Sequence, residues 1–375
     1  MLSSISIKNF KPFRDFHANF APVTLMMGEN GSGKSTILQS ILILKQSVRE
    51  NNQDISNLIL NGDYCNIGNG RDALCRSSDD AEVISFRVEM QTTKSSDTTE
   101  LKFKYEPEAD FLQPTGQPIA ATLFSDAKVT YLAAERTGPR LTTPFSKTKA
   151  SAGDLGRNGT GSAAVLFANS STVMSDKDPR IPKELVTRNI LSVFNHYLGL
   201  ISTGASIKVA GFADLDSVAT TFNFENAGLL PIESIRPTNV GFGLSYSISI
   251  IISCLQAKPG DILLIENPEA HLHTKGQRAI ADLICKTADT GVQIILETHS
   301  REILYWLRQK VINKELPAET VRLNYLSSSD RGEDSLQECP TLFPLSDQIG
   351  ELGDATQEFL DHFGTSMDFI QNTHG

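Results

Sequence analysis

Gly28-Glu29-Asn30-Gly31-Ser32-Gly33-Lys34-Ser35-Thr36 satisfies G-x-x-x-x-G-K-[ST], a spacing whose chemistry is the cradling of phosphates. The glycines let the backbone wrap an anion with its N–H groups pointing inward. A helix N-terminus behind the loop adds a positive dipole end. Asn30, Gly31, Ser32, Gly33, Lys34, Ser35 and Thr36 are the candidate phosphate-binding residues. Lys34 is expected to reach the β- and γ-phosphates of ATP, and the Ser35 hydroxyl to ligate Mg²⁺. A second glycine- and serine-bearing segment, Gly241-Phe242-Gly243-Leu244-Ser245, precedes an apolar run and offers a second anion site. Further on, the apolar stretch 262–265 ends in Glu266, an acid able to bind Mg²⁺ directly or through water. Asn267, Glu269, His271 and His273 follow it, and Thr298-His299-Ser300 follows the next apolar stretch.

These groups need elements to hold them. Residues 23–27 predict a short buried strand and 36–44 an apolar helix, so the glycine loop lies in a strand–loop–helix context. Ile5 and Ile7 alternate with Ser6 and Lys8, a period-2 strand signal. Residues 83–90 and 101–105 predict a hairpin, with the polar Thr/Lys/Ser segment between them as its turn. Residues 49–80 are turn-rich, with a short element at 58–60. A strand over 127–134 delivers Glu135 and Arg136 into a Gly-Pro turn. Residues 141–180 are polar, 181–199 read as a helix, and 206–224 resume a β pattern. Helices are expected at 248–255 and 275–287, strands at 261–265, 292–297 and 321–326, and a helix after Ser300 with that serine as its cap. Beyond 330 the chain is polar with apolar patches and is expected to be a tail: a docking segment, a frayed end or a domain-closing helix.

The net charge of −10 argues against a polybasic nucleic-acid binder, although one basic face stays possible. Cys65, Cys75, Cys254, Cys285 and Cys339 show neither CxxC nor His/Cys spacing, so neither zinc nor a disulfide framework is expected, and a reducing cytoplasm fits. His271 and His273 lack a third ligand for a metal. Met1-Leu2-Ser3-Ser4 leads straight into a strand, so no signal peptide is expected. The apolar run near 248–255 is too short to span a membrane.

A first strand, then Asn9-Phe10-Lys11-Pro12-Phe13-Arg14, the glycine loop, Gly241 to Ser245, Glu266 with Pro268-Glu269-Ala270-His271-Leu272-His273, and Glu297-Thr298-His299-Ser300 stand in a telling order. That order resembles the ABC-type P-loop ATPases of the RecF, SMC and overcoming-lysogenisation-defect group, including compact antiphage-defence ATPases. The resemblance implies an α/β, two-lobed ATPase head: a mixed sheet with helices plus an inserted lobe carrying the signature. It places lobe I at 1–140 and 246–330, the inserted lobe II at 141–245 and the tail at 331–375.

It further implies that Gly243 and Ser245 belong to a signature touching ATP held by a second copy, so that the chain forms a homodimer through ATP. Glu266 becomes the Walker B acid and His299 a switch bonded to the γ-phosphate. Lys11 and Arg14 match, loosely, basic positions near nucleotide or DNA, and Glu135 or Arg136 matches a γ-phosphate sensor. The family pattern has an acid where this chain has Asn267. Two readings follow: Glu269 orients the attacking water, or turnover is slow and ATP acts as a latch. Three functions stay open. One is an antiphage sensor ATPase controlling a separate effector such as a nuclease. Another is a RecF-like repair ATPase binding DNA in the dimer cleft, and the third is a slow nucleotide-gated scaffold. No long coiled coil of the SMC type is present in the sequence.

Overall fold

Ile5 and Ile7 are fully buried, as their alternation requires, in the strand Leu2–Phe10. In a computed structural model this strand lies between Phe13–Asn19 and Val83–Gln91, and Ser96–Lys104 continues the antiparallel sheet. The structure describes residues 1–48, 54–78, 82–91, 96–116, 119–120, 127–225, 232–326 and 337–338. The expected hairpin is present, although its turn at 92–95 lies outside the described residues, as do most of the expected tail and Cys339. Cys65, Cys75, Cys254 and Cys285 are buried and stand outside any disulfide.

By packing, the chain divides into two units, one from Met1–Val129 and the chain from Arg308 onward, the other from Thr130–Leu307. In the first unit the strand Val23–Gly28 is buried at every residue. Burial on both faces suits a parallel strand, and its partner is Val321–Leu326, with Leu326 opposite Gly28. Segments about three hundred residues apart in the sequence thus meet beside the glycine loop. Lys34–Ser47 follows as a helix burying Ile37, Leu38, Ile41, Leu42, Ile43 and Leu44. Each such side chain contributes about 1.5–3 kcal/mol by leaving water. Lys11, expected near nucleotide or DNA, donates to Gln39 of this helix at 2.7 Å.

In the second unit Ile262–Glu266 and Gln293–Glu297 pair in parallel. The helix Thr274–Ala288 follows the first strand and Arg301–Ile312 the second. Ser300 caps the latter as expected, its Oγ accepting from the Ile303 N–H at 3.0 Å. A further sheet orders Thr142–Pro144, Ser217–Phe224 and Ala205–Phe212, with Ile232–Ile235 also paired to Ser217–Phe224.

Two helix boundaries differ from expectation. The helix read over 181–199 is Ile190–Ile201, because Asn189 caps it through the Ser192 N–H at 2.8 Å and the residues before it are held in turns. The helix read over 248–255 begins earlier, as Phe242–Gln256, so Gly243 and Ser245 lie in its first turns rather than ahead of it. Among the described residues no helix is long and apolar enough to cross a membrane.

The far end of that helix is fastened by Arg180. Its Nε and Nη2 hold Asp178 at 2.8 and 2.6 Å, and its Nη1 donates to the carbonyls of Cys254 and Ala257 at 2.6 and 2.9 Å. Burial pushes the Asp178 carboxyl up, but its hydrogen bonds and charge contact with Arg180 outweigh that and hold it below the ordinary value. A carboxyl depressed in the folded chain stabilises above its unfolded pKa, and that part is lost as pH falls through the folded one. Denaturant midpoints are therefore expected to decline below about pH 4. Asp178→Asn, weaker at neutral pH, should show less of that decline, and an identical decline in the variant would count against the pair.

Candidate functional site

The glycine loop leaves its strand at Gly28, where φ is +136° and an added Cβ would lie 2.0 Å from the Leu326 carbonyl oxygen. Gly31 and Gly33 also have positive φ, +76° and +107°, and a Cβ at Gly33 would meet the Phe13 ring at 2.5 Å. Glycine is needed here for conformation and for close approach together. Asn30, Gly31 and Ser35 are exposed, whereas Ser32, Lys34 and Thr36 are buried. Lys34 Nζ folds onto the loop itself, donating to the carbonyls of Gly28 at 2.9 Å and Glu29 at 2.5 Å. The helix behind the loop has no side-chain cap and no acid in its first turn. Ser32 Oγ is buried and has no hydrogen-bond partner among the described residues.

In the other unit, Tyr131 Oη donates to Glu266 Oε1 at 2.8 Å and the Ala134 N–H to Oε2 at 3.0 Å. Each oxygen retains a further lone pair. Arg136 is turned inward and 4% exposed. It donates to the carbonyls of Glu266 at 2.8 Å and Asn267 at 2.5 Å, and it sits 5.5 Å from the centre of the Tyr246 ring. Burial pushes its guanidinium down to about 10, against the pull of Glu269, Tyr246 and Glu266. Arg136 thus braces the end of the Ile262–Glu266 strand. Glu135 is exposed beside it.

Asn267 adopts φ +43°, a left-handed conformation that Asn tolerates better than most residues. Its N–H donates to the Glu297 carbonyl at 2.7 Å, while its Oδ1 is buried with no partner among the described residues. Glu269 reaches the loop after the next strand: Oε2 accepts from Thr298 Oγ1 at 2.7 Å and Oε1 from the His299 N–H at 2.8 Å. Gln277 extends this connection, bonding the Leu272 carbonyl and Ser300 Oγ at 2.8 and 2.6 Å. The ring of His299 is exposed.

The segment beginning at Gly241 packs against the same loop. A Cβ on Gly243 would lie 2.4 Å from the His271 carbonyl oxygen, so glycine is required by contact there. The His271 ring stands edge-on to Tyr246 at 4.9 Å and near Phe242 at 5.7 Å. Ser245 Oγ is buried. The second unit therefore gathers Glu266, Asn267, Glu269, His299, Gly243 and Ser245, and the first holds Asn30 to Thr36. Tyr131, Tyr246 and Gln277 escaped the sequence reading. Each acts through a contact distant in the chain, and no local spacing signals it.

A family model described as "AAA domain, putative AbiEii toxin, Type IV TA system", AAA_21, matches residues 23–304. The chain belongs to this family. It carries an AAA domain of the ATPase type. No curated protein matches the AAA_21 chain. Among solved structures, a crystal structure of the SmcHead bound to the C-winged helix domain of ScpA is similar at a TM-score of 0.52 and 15% identity, over 81% of this chain and 91% of that one. The SMC head domain from Thermotoga maritima matches at 0.45 and 12% identity, over 86% and 94%. The likeness to the ScpA-bound head shows the fold, and it agrees with the α/β head expected from the order of motifs.

The AAA_21 loop fits a nucleoside triphosphate on its own chemistry. An uncapped helix end, an orphaned buried Ser32 hydroxyl and a lysine make a donor-rich set without an acid in the first turn of the helix. Glu269 also yields a direct test. A glutamine there keeps one acceptor but turns an NH₂ group toward a donor. Glu269→Gln is expected to raise amide exchange at His299 about tenfold or more, the loss of one charged hydrogen bond. Unchanged protection at His299 would refute the clasp.

Proposed function

We infer that the chain binds ATP with Mg²⁺ at Asn30 to Thr36, closes into a homodimer around it, and hydrolyses it slowly as a sensor ATPase of a bacterial antiphage defence system, controlling a separate effector such as a nuclease. The observation carrying this reading is the glycine loop, where Lys34 is held at an uncapped helix end. Mg²⁺ held there would supply positive charge against the charge that develops on the phosphates. We assign its ligation to Ser35 and Glu266. Lys34 binds and orients the phosphates. Gly243 and Ser245 belong to the signature that completes the site of the other copy, and His299 bonds the γ-phosphate. The functional lobes remain 1–140 with 246–330, and 141–245 as the insertion.

Asn267 favours slow turnover. An amide orients water but accepts no proton from it, and its buried orphan Oδ1 is an acceptor without a donor among the described residues. Glu269 is the nearby carboxylate left to orient the water, and it already clasps Thr298 and His299. That geometry supports a latch in which the nucleotide state is passed to the His299 loop. The family description names a toxin–antitoxin system, and the similar SMC head is bound to a separate protein. Both support a partner protein for this chain.

The test is phosphate release from Mg-ATP, with and without linear duplex DNA, alongside sizing in ATP and in ADP. Slow release indifferent to DNA, with dimers in ATP alone, is expected. Strong stimulation by DNA would replace this reading with a RecF-like repair ATPase. Binding and dimerisation without any release would leave a nucleotide-gated scaffold.

A further inference from the structure

The strand Ala205–Phe212 pairs with Ser217–Phe224 on one side, and among the described residues no strand lies on its other side. Two backbone contacts fix which of its groups face that open side. The Glu225 N–H donates to the Gly204 carbonyl at 2.9 Å, so the even-numbered residues bond the partner strand. The Thr220 N–H, opposite Val209, turns the other way, to the Leu141 carbonyl at 3.0 Å. The odd-numbered residues therefore aim their N–H and C=O groups at the open edge. At Ile207 the edge is closed by the Asn195 amide, which accepts from the Ile207 N–H at 2.8 Å and donates to its carbonyl at 3.4 Å. At Val209 and Gly211 no group among the described residues takes that place.

Open edges are normally blunted by proline, by an inward-pointing charge, by a bulge or by a covering loop. Among the described residues none of these protects Val209 and Gly211. Val209 and Phe167 pack beneath the strand against Ala163, Ala164 and Val218, so the edge is held in shape. Lys208, Ala210 and Phe212 stand exposed on the opposite face, and Leu215 in the following turn is 72% exposed. An extended chain laid along this edge would complete its ladder.

A second copy of the same edge fits in one antiparallel register. With a twofold axis at Ala210, the N–H and C=O of Val209 meet the C=O and N–H of Gly211 in the other copy, and the reverse. An axis at Val209 would oppose Gly211 to Ile207, whose groups Asn195 already holds. An axis at Gly211 would oppose Val209 to Ala213, which has left the strand and whose carbonyl accepts from the Asp216 N–H at 3.3 Å. The charges agree with the first register. It sets Lys208 opposite Phe212 of the other copy and diagonally toward the turn carrying Asp214 and Asp216, both exposed. The two Lys208 side chains stay about 13 Å apart along the ladder, beyond the screening length at physiological salt. We propose that the Ala205–Phe212 edge pairs with the same edge of a second copy about Ala210, an interface that needs no nucleotide. The ladder is short, so the pairing is expected to be micromolar or weaker.

The full chain is tested without nucleotide, so the outcome does not depend on closure around ATP. Ala210 directly faces Ala210 of the other copy in a non-hydrogen-bonded pair, with Cα atoms about 4.5 Å apart, within disulfide reach. Under mild oxidation Ala210→Cys is expected to form a covalent dimer. Phe212→Cys on the same exposed face, about 13 Å from its counterpart, is expected to form little. In sedimentation over a concentration series, Ala210→Glu should weaken the wild-type dimer about fivefold or more, because it places like charges directly opposite. Ala210 is exposed, and circular dichroism checks that each variant is folded. Equal linking of the two cysteine variants, or a dimer indifferent to Ala210→Glu, overturns the proposal. A wild type that stays monomeric, with no linking of Ala210→Cys, also overturns it and leaves the edge to an extended segment of a different protein.

Discussion

Lys34→Ala is expected to remove the stabilisation that ATP confers and to cut phosphate release by about 10²–10³-fold, the usual cost of one preorganised donor at a phosphoryl centre. The lysine is 4% exposed, and its ammonium is shared between the carbonyls of Gly28 and Glu29. It is held at the loop before any phosphate arrives. Alanine reaches neither the loop carbonyls nor a phosphate, so two effects should separate. Without nucleotide, the variant should lose about 1–3 kcal/mol, because charged hydrogen bonds to two carbonyls vanish. With ATP at a hundred times its Kd, the wild type should gain about 2.7 kcal/mol, and the variant should gain almost nothing. Thermal melts with and without Mg-ATP read both effects. A variant that still gained the full increment would place the nucleotide elsewhere.

Arg180→Ala should be among the most destabilising single changes in the chain, at about 3–5 kcal/mol. Arg180 is 7% exposed, and its guanidinium meets a carboxylate on one side and the last carbonyls of a helix on the other. Those carbonyls have no intrahelical donors. A cation there also favours the negative end of the helix dipole. Truncation leaves Asp178 partly buried without its charge partner and two helix-end carbonyls unmet, while Tyr197 still donates to the backbone at 180 at 2.8 Å. Chemical denaturation measures the loss. The double variant Asp178→Asn, Arg180→Ala should lose less than the two single losses added together, because removing both charges avoids the unpaired carboxylate. Strict additivity would argue against a coupled pair. Because the knot secures the far end of Phe242–Gln256, weaker ATP-dependent dimerisation should accompany the loss of stability.

The chemistry of the glycine loop was legible in the sequence because a phosphate cradle is local. Gly28, Gly31, Gly33 and Lys34 lie within one turn between a strand and a helix, and spacing alone dictates their backbone. The buried strands at 23–28, 262–266 and 293–297 were legible because continuous apolar runs mark parallel strands covered on both faces. Ser300 was legible as a cap for the same local reason.

Long-range contacts were not legible in this way. Arg136 reads as a charged strand exit, and packing turns it into a buried brace on the carbonyls of Glu266 and Asn267. Glu269 reads as an acid to orient the attacking water, and folding brings it to Thr298 and His299, about thirty residues on. Gly243 reads as part of a signature, and the approach of the His271 carbonyl is what forbids a side chain there. The start of Phe242–Gln256 was misplaced because a glycine- and serine-rich segment has low helix propensity, which tertiary packing overrode. The sequence by itself determined which residues have the chemistry to hold a triphosphate, since that chemistry is written in neighbouring residues. Only the tertiary structure decided which charges are braced, which are clasped and which hydroxyls lack a partner, because burial and pairing are properties of segments that meet only when the chain folds.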